Sequence, residues 1–133
     1  MIGKIAWKKL FPVILADNGT EFSDPTAIEY DSTGNRRTHM FYCDPSAPHQ
    51  KGACENNHEL IIRILPKGTS FDNLTQADIN LMMNHINSYT RENLNDKCPI
   101  EVFEEIYGTE ILKALEVTRT NPNDITLLPE LLK

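Results

Sequence analysis

The chain has 133 residues, of which 40% are apolar, and this suits one hydrophobic core of ordinary size with no room for a second. No run approaches the roughly 18 apolar residues of a membrane span, and the N-terminal MIGKIAWKKLFPVILA keeps its lysines inside the segment and lacks the apolar stretch and cleavage site of a signal peptide, so a cytoplasmic protein is expected. The formal net charge of −6 argues against a nucleic-acid binder until its distribution is read: residues 1 to 70 carry eight basic and eight acidic side chains, residues 71 to 133 five and eleven.

In chain order, FPVILA (residues 11 to 16) is short, apolar and β-branched in its middle, and Asn18-Gly19 follows it, so a buried strand ending at Asp17 is expected. SDPTAIEY then opens a short helix, with Ser23 or Asp24 as cap and Pro25 in the first turn. STGN turns the chain, RRTHMFYCD (36 to 44) reads as a second strand, and DPSAPHQKG (44 to 52) is a loop. From Ala53 the period changes: Cys54, Leu60, Ile61, Ile64 and Leu65 recur at about helical spacing until Pro66, and Lys67-Gly68 closes the element. NLTQADINLMMNHINSYTREN is a clearer helix, with Thr75 and Asp78 placed for a capping box and Ile79, Met82, Met83 and Ile86 on one core-facing stripe. CPIEVFEEIYG starts another helix at Pro99 and stops it at Gly108, TEILKALEV is a further short one, and NPNDITLLPELLK is a polar turn followed by an apolar tail that docks on the body.

Two carboxylates occupy positions where chemistry is feasible. Asp17 stands at the C-terminal end of a strand, where open α/β sheets place ligands, and Glu55 stands in the first turn of a helix after a loop punctuated by Pro and Gly. Acids held on separate rigid elements can converge on a hard cation such as Mg²⁺. An Asp before Asn-Gly also suits an ordinary turn, and a Glu in a first helical turn also favours the helix dipole. Glu59 lies four residues beyond Glu55 on the same helical face, whereas Glu21, Asp24 and Asp44 fit turns and caps better than metal binding.

Three segments in order, ADNGTEF, CDPSAPHQKGACENNHELI and ILPKGTSFD, resemble the catalytic core of the retroviral-integrase superfamily, most closely the bacterial insertion-sequence transposases of the IS-thirty type. The resemblance runs from about Pro12 to the C-terminus; DNG alone is a weak signature, but with the EN and PKGT segments in register it is specific. It implies an α/β, partial RNase H-like fold lacking its first strands. Residues 1 to 70 would be the C-terminal part of that core, and residues 71 to 133 a helical C-terminal region of the same domain. Asp17 would end the fourth strand, THMFYC would form the fifth, and Glu55 would sit on the helix beyond. By the same resemblance Asp17 and Glu55 are the second and third acids of an Asp-Asp-Glu triad. They are catalytic residues and ligands of Mg²⁺ (or Mn²⁺), and the pattern favours Glu55 over Glu59. The chemistry implied is hydrolysis at a transposon end followed by attack of the freed 3′-hydroxyl on target DNA.

Two departures from the family matter. Only sixteen residues precede Asp17 and none is acidic, so the first acid has no counterpart, and the chain is expected to be truncated at the N-terminus and inactive alone. A basic residue common seven positions after the catalytic Glu is Ile62 here, and Arg63 points about 100° further round an ideal helix. Lys51 and Lys67 flank the site as candidate phosphate contacts, or are ordinary solvated lysines; Asn56 and His58 match family positions near the metal, and His58 suits a structural hydrogen bond equally well.

The cysteines, Cys43, Cys54 and Cys98, are odd in number and irregular in spacing, as expected of reduced thiols. With His39, His49 and His58 nearby, a reading from another class is a small zinc-stabilised binding module using His39, Cys43, Cys54 and His58, although no CxxC pair is present. Finally, an unpaired apolar edge on FPVILA invites self-association, or a cover from residues 1 to 10 or from the C-terminal tail.

Overall fold

A computed structural model of the protein describes residues 3–133. They form two compact units, one running to Cys54 and the other from Glu55 to Lys133. The division falls within the first turn of a helix that the Lys67-Gly68 turn closes.

The first unit begins with α1, Lys4–Leu10, an element with no clear signal in the sequence. Lys8 and Lys9 in its last turn favour the helix dipole, and Trp7 packs edge-on against Phe11 at 4.5 Å with the Arg37 guanidinium 5.1 Å above its ring. β1 (Val13–Ala16) and β2 (His39–Tyr42) pair in parallel, with Val13 opposite His39 and Leu15 opposite Phe41. Between them, α2 (Pro25–Glu29) is capped as its sequence demands: the Asp24 carboxylate accepts the Ala27 N–H at 3.3 Å, and Pro25 occupies the first turn.

The strands are shorter than the apolar runs that announce them, and β1 is buried on one face only. Ala16 is 2% exposed, but Val13, Leu15 and Phe41, on the opposite face of the pleat, are 55%, 45% and 56% exposed. Residues 3 to 10 therefore leave that face open; residues 1 and 2 lie outside the described residues.

The second unit holds most of α3 (Gly52–Ile64), with α4 (Gln76–Ser88), α5 (Pro99–Tyr107) and α6 (Thr109–Ala114). The capping box on α4 is present: Thr75 Oγ1 accepts the Asp78 N–H at 3.2 Å, and the Asp78 carboxylate accepts the Thr75 N–H at 2.9 Å. Leu60, Ile64, Leu65, Met82 and Ile86 form a core against which Leu127, Leu131 and Leu132 of the C-terminal segment pack, so the apolar tail docks as its composition suggests. Ile79, at the N-terminal end of the stripe, stays 39% exposed. A second cluster joins Cys98, Ile100 and Leu112 across Gly108, whose φ of 83° separates α5 from α6. Burying Ile64 and Ile86 contributes about 1.5–3 kcal/mol each.

The class is α/β, helices with one small parallel sheet. Cys43 and Cys98 are free thiols, and no helix among the described residues is long and apolar enough to cross a membrane.

Candidate metal and nucleic-acid site

In the first unit the ladder continues past the strands: the Cys43 N–H donates to the Ala16 carbonyl at 2.9 Å, and the Asn18 side chain donates to the Cys43 carbonyl at 3.1 Å. Because parallel strands point their carboxyl ends the same way, this pins the chain after β1 beside the chain after β2. Asp17 emerges there with its side chain 57% exposed. Its Oδ1 accepts the Gly19 N–H at 3.1 Å, and its Oδ2 faces Lys51 Nζ at 3.5 Å. The Gly19 N–H first, and the Lys51 ammonium second, hold the Asp17 carboxyl below the usual carboxylate range, so it is ionised at neutral pH.

Lys51 arrives there because the loop before it is tied. The Asp44 N–H donates to Gln50 Oε1 at 2.8 Å while Gln50 Nε2 donates to Asp44 Oδ2 at 3.0 Å, and a tight turn over Pro48–Lys51 follows. Gln50 is the positioning residue that sequence reading missed; its only signal was a Gln six residues after an Asp in a proline-rich loop. Gly19 has an extended backbone, φ −63°, so no left-handed turn calls for glycine there, and the atoms nearest an added Cβ belong to the exposed Glu21 carboxylate, which can swing aside.

In the second unit Glu55 is exposed in the first turn of α3, and Asn56, His58, Glu59 and Arg63 are exposed along the same helix while Leu60 and Ile64 enter the core. Lys67 is exposed in the turn that follows. Asn57 accepts a hydrogen bond from Arg91 Nη2 at 2.8 Å, and Asn56 and Glu59 line a cavity of about 490 Å³ with Tyr89, Arg91, Glu92 and Asn93. Arg91 carried no signal in the sequence.

Among the described residues no three of His, Cys, Asp and Glu gather to hold an ion. Of the four residues considered for zinc, His39 has Nδ1 2.8 Å from Arg36 Nη1, Cys43 is buried, Cys54 is half-buried and His58 is exposed in the second unit. Asp17, in the first unit, and Glu55, in the second, are solvent-open oxygen donors of the hard type that Mg²⁺ and Mn²⁺ prefer.

No protein-family model matches the chain, and no solved structure matches it. Among curated proteins it is 33% identical over 90 residues to the transposase for insertion sequence element IS1086 of Cupriavidus metallidurans, an alignment covering 68% of this chain and 25% of that protein. With the transposase for insertion sequence element IS4351 of Bacteroides fragilis it shares 33% identity over 99 residues, 74% of this chain and 29% of that protein. Transposase InsI for insertion sequence element IS30A of Escherichia coli is 35% identical over 65 residues, 49% of this chain and 17% of its own length. The chain thus spans less than a third of the length of each of these curated relatives. The chain belongs to the transposases of bacterial insertion sequences, matching a segment of them over most of its own length.

Proposed function

We propose that the chain is a segment of an insertion-sequence transposase catalytic core, with an RNase H-like fold, acting on DNA. The observation that carries this reading is the ionised Asp17 carboxylate, open to solvent at the carboxyl end of a parallel strand pair. Asp17 and Glu55 are the residues that would hold divalent metal, Mg²⁺ or Mn²⁺. Ions held by carboxylates supply activation of the attacking oxygen and stabilisation of the leaving oxygen in an in-line displacement at phosphorus. The protein's own part is to keep Asp17 charged and fixed through the Gly19 N–H, with Lys51 balancing its charge until metal and DNA arrive. Lys51, Asn56, His58, Arg63 and Lys67 are the proposed DNA contacts. Asp17 and Glu55 would then be two carboxylates of an Asp-Asp-Glu triad. The exposed apolar face of the sheet would associate with a second copy.

Mn²⁺ binding, read by the relaxation enhancement of water protons, tests the assignment without requiring turnover. Asp17→Asn and Glu55→Gln are each expected to weaken it about tenfold or more, whereas binding indifferent to both substitutions would remove the metal assignment. Elemental analysis of protein purified in metal-free buffer provides the second arm: tightly held zinc near one equivalent favours the binding module on His39, Cys43, Cys54 and His58.

A further inference from the structure

Arg91 occupies an unusual setting for a cation. It is half-buried, its Nη2 donates to the neutral Asn57 amide at 2.8 Å, and its buried Nε has no acceptor among the described residues. It makes no ion pair there either, although Glu59 and Glu92 line the same cavity; Arg36 and Arg119, by contrast, pair with Glu29 and Glu101. A buried N–H left without an acceptor is costly, more so on a charged group, and burial pulls the Arg91 pKa down. The fold nevertheless fixes this residue. The Arg91 N–H donates to the Lys97 carbonyl at 3.1 Å, its own carbonyl accepts from Leu94 and Asp96, and Asn95 and Asp96 adopt left-handed φ of 55° and 60° to close the loop. Nε itself is sealed from solvent, so what this held guanidinium can offer an oxyanion is its outer Nη groups on the cavity wall.

We propose that Arg91, with the Asn56 and Asn93 amides beside it in the 490 Å³ cavity, is a phosphate-binding site for the backbone of DNA, an inference that rests on the DNA-binding reading above. Exposed Glu59 and Glu92 disfavour a free anion, so the occupant is a phosphodiester delivered by a polymer held elsewhere.

The test is equilibrium binding of a short DNA duplex, by fluorescence anisotropy, across a series of salt concentrations. Arg91→Gln removes the charge and the outer end of the side chain and is expected to weaken binding about tenfold and to flatten the log–log salt dependence by about 0.9. Arg91→Lys is expected to recover the salt slope but not the full affinity, because an ammonium lacks the guanidinium's planar fork. A salt slope unchanged in Arg91→Gln overturns the proposal and leaves Arg91 as a strut for Asn57, whatever happens to thermal stability. Competition by millimolar inorganic phosphate, acting only when Arg91 is present, would reassign the site to a free anion. If the unaltered chain binds no DNA, the parent reading fails and this inference with it; if it binds and Arg91→Gln binds equally, only the inference fails.

Discussion

His85 lies on α4, 6% exposed, with Nδ1 accepting the Thr126 N–H at 3.0 Å. A backbone amide can only donate, so Nδ1 carries no proton and the folded ring is neutral. Burial pushes the His85 pKa below its ordinary 6.5, with Asp124 nearby opposing in part. The unfolded chain therefore takes up a proton first as the pH falls. His85 contributes its full stability above 6.5, and that contribution declines as the pH drops through 6.5 towards the lower folded value.

His85→Leu keeps most of the bulk but leaves the partly buried Thr126 N–H without its acceptor, a loss of about 0.5–1.5 kcal/mol near pH 8. The same amide helps anchor the segment that brings Leu127, Leu131 and Leu132 onto the core, so the loss also loosens the tail. Urea unfolding followed by far-ultraviolet circular dichroism, at several values between about pH 8 and pH 5, reads both effects. The unaltered protein is expected to lose stability across that interval while His85→Leu responds less, so the two curves converge at the acid end. Equal midpoints near pH 8, or curves that stay parallel, would refute the reasoning.

Three further substitutions probe separate parts of the second unit by the same unfolding assay. Ile86→Ala empties a site with 0% exposure between Leu60, Ile64 and Met82 and is expected to cost about 2–5 kcal/mol; a loss below about 1 kcal/mol would mean that this core is not packed as described. At Gly108, φ 83° and ψ 175°, an added Cβ meets nothing within 4 Å, so Gly108→Ala tests backbone strain alone, at about 1–3 kcal/mol. Thr75→Ala removes the hydroxyl that caps α4 and should cost about 1 kcal/mol, whereas Thr75→Ser should stay close to the unaltered protein.

What was legible in the sequence was local. Asp24 and Pro25, Thr75 and Asp78, Pro99 and Gly108 each satisfy backbone groups within a few residues, so their roles could be read without knowing the fold. Asp17 was legible for the same reason, since its turn bond reaches only to Gly19. Features that depend on distant partners were not. α1 is held by Trp7 against Arg37, thirty residues on, and Arg91 meets Asn57 across 34 residues. His85 accepts from Thr126, 41 residues away. An apolar run such as FPVILA announces a strand but is silent on whether one face or both will be covered.

That last distinction governs how the protein behaves when heated. A two-stranded ribbon with Val13, Leu15 and Phe41 turned to water is where molten chains would begin to precipitate. Thermal melting should then be irreversible and shift with scan rate and protein concentration, reporting a rate of clumping in place of an equilibrium. A lysine placed at Val13 or Leu15 should restore recovery on cooling.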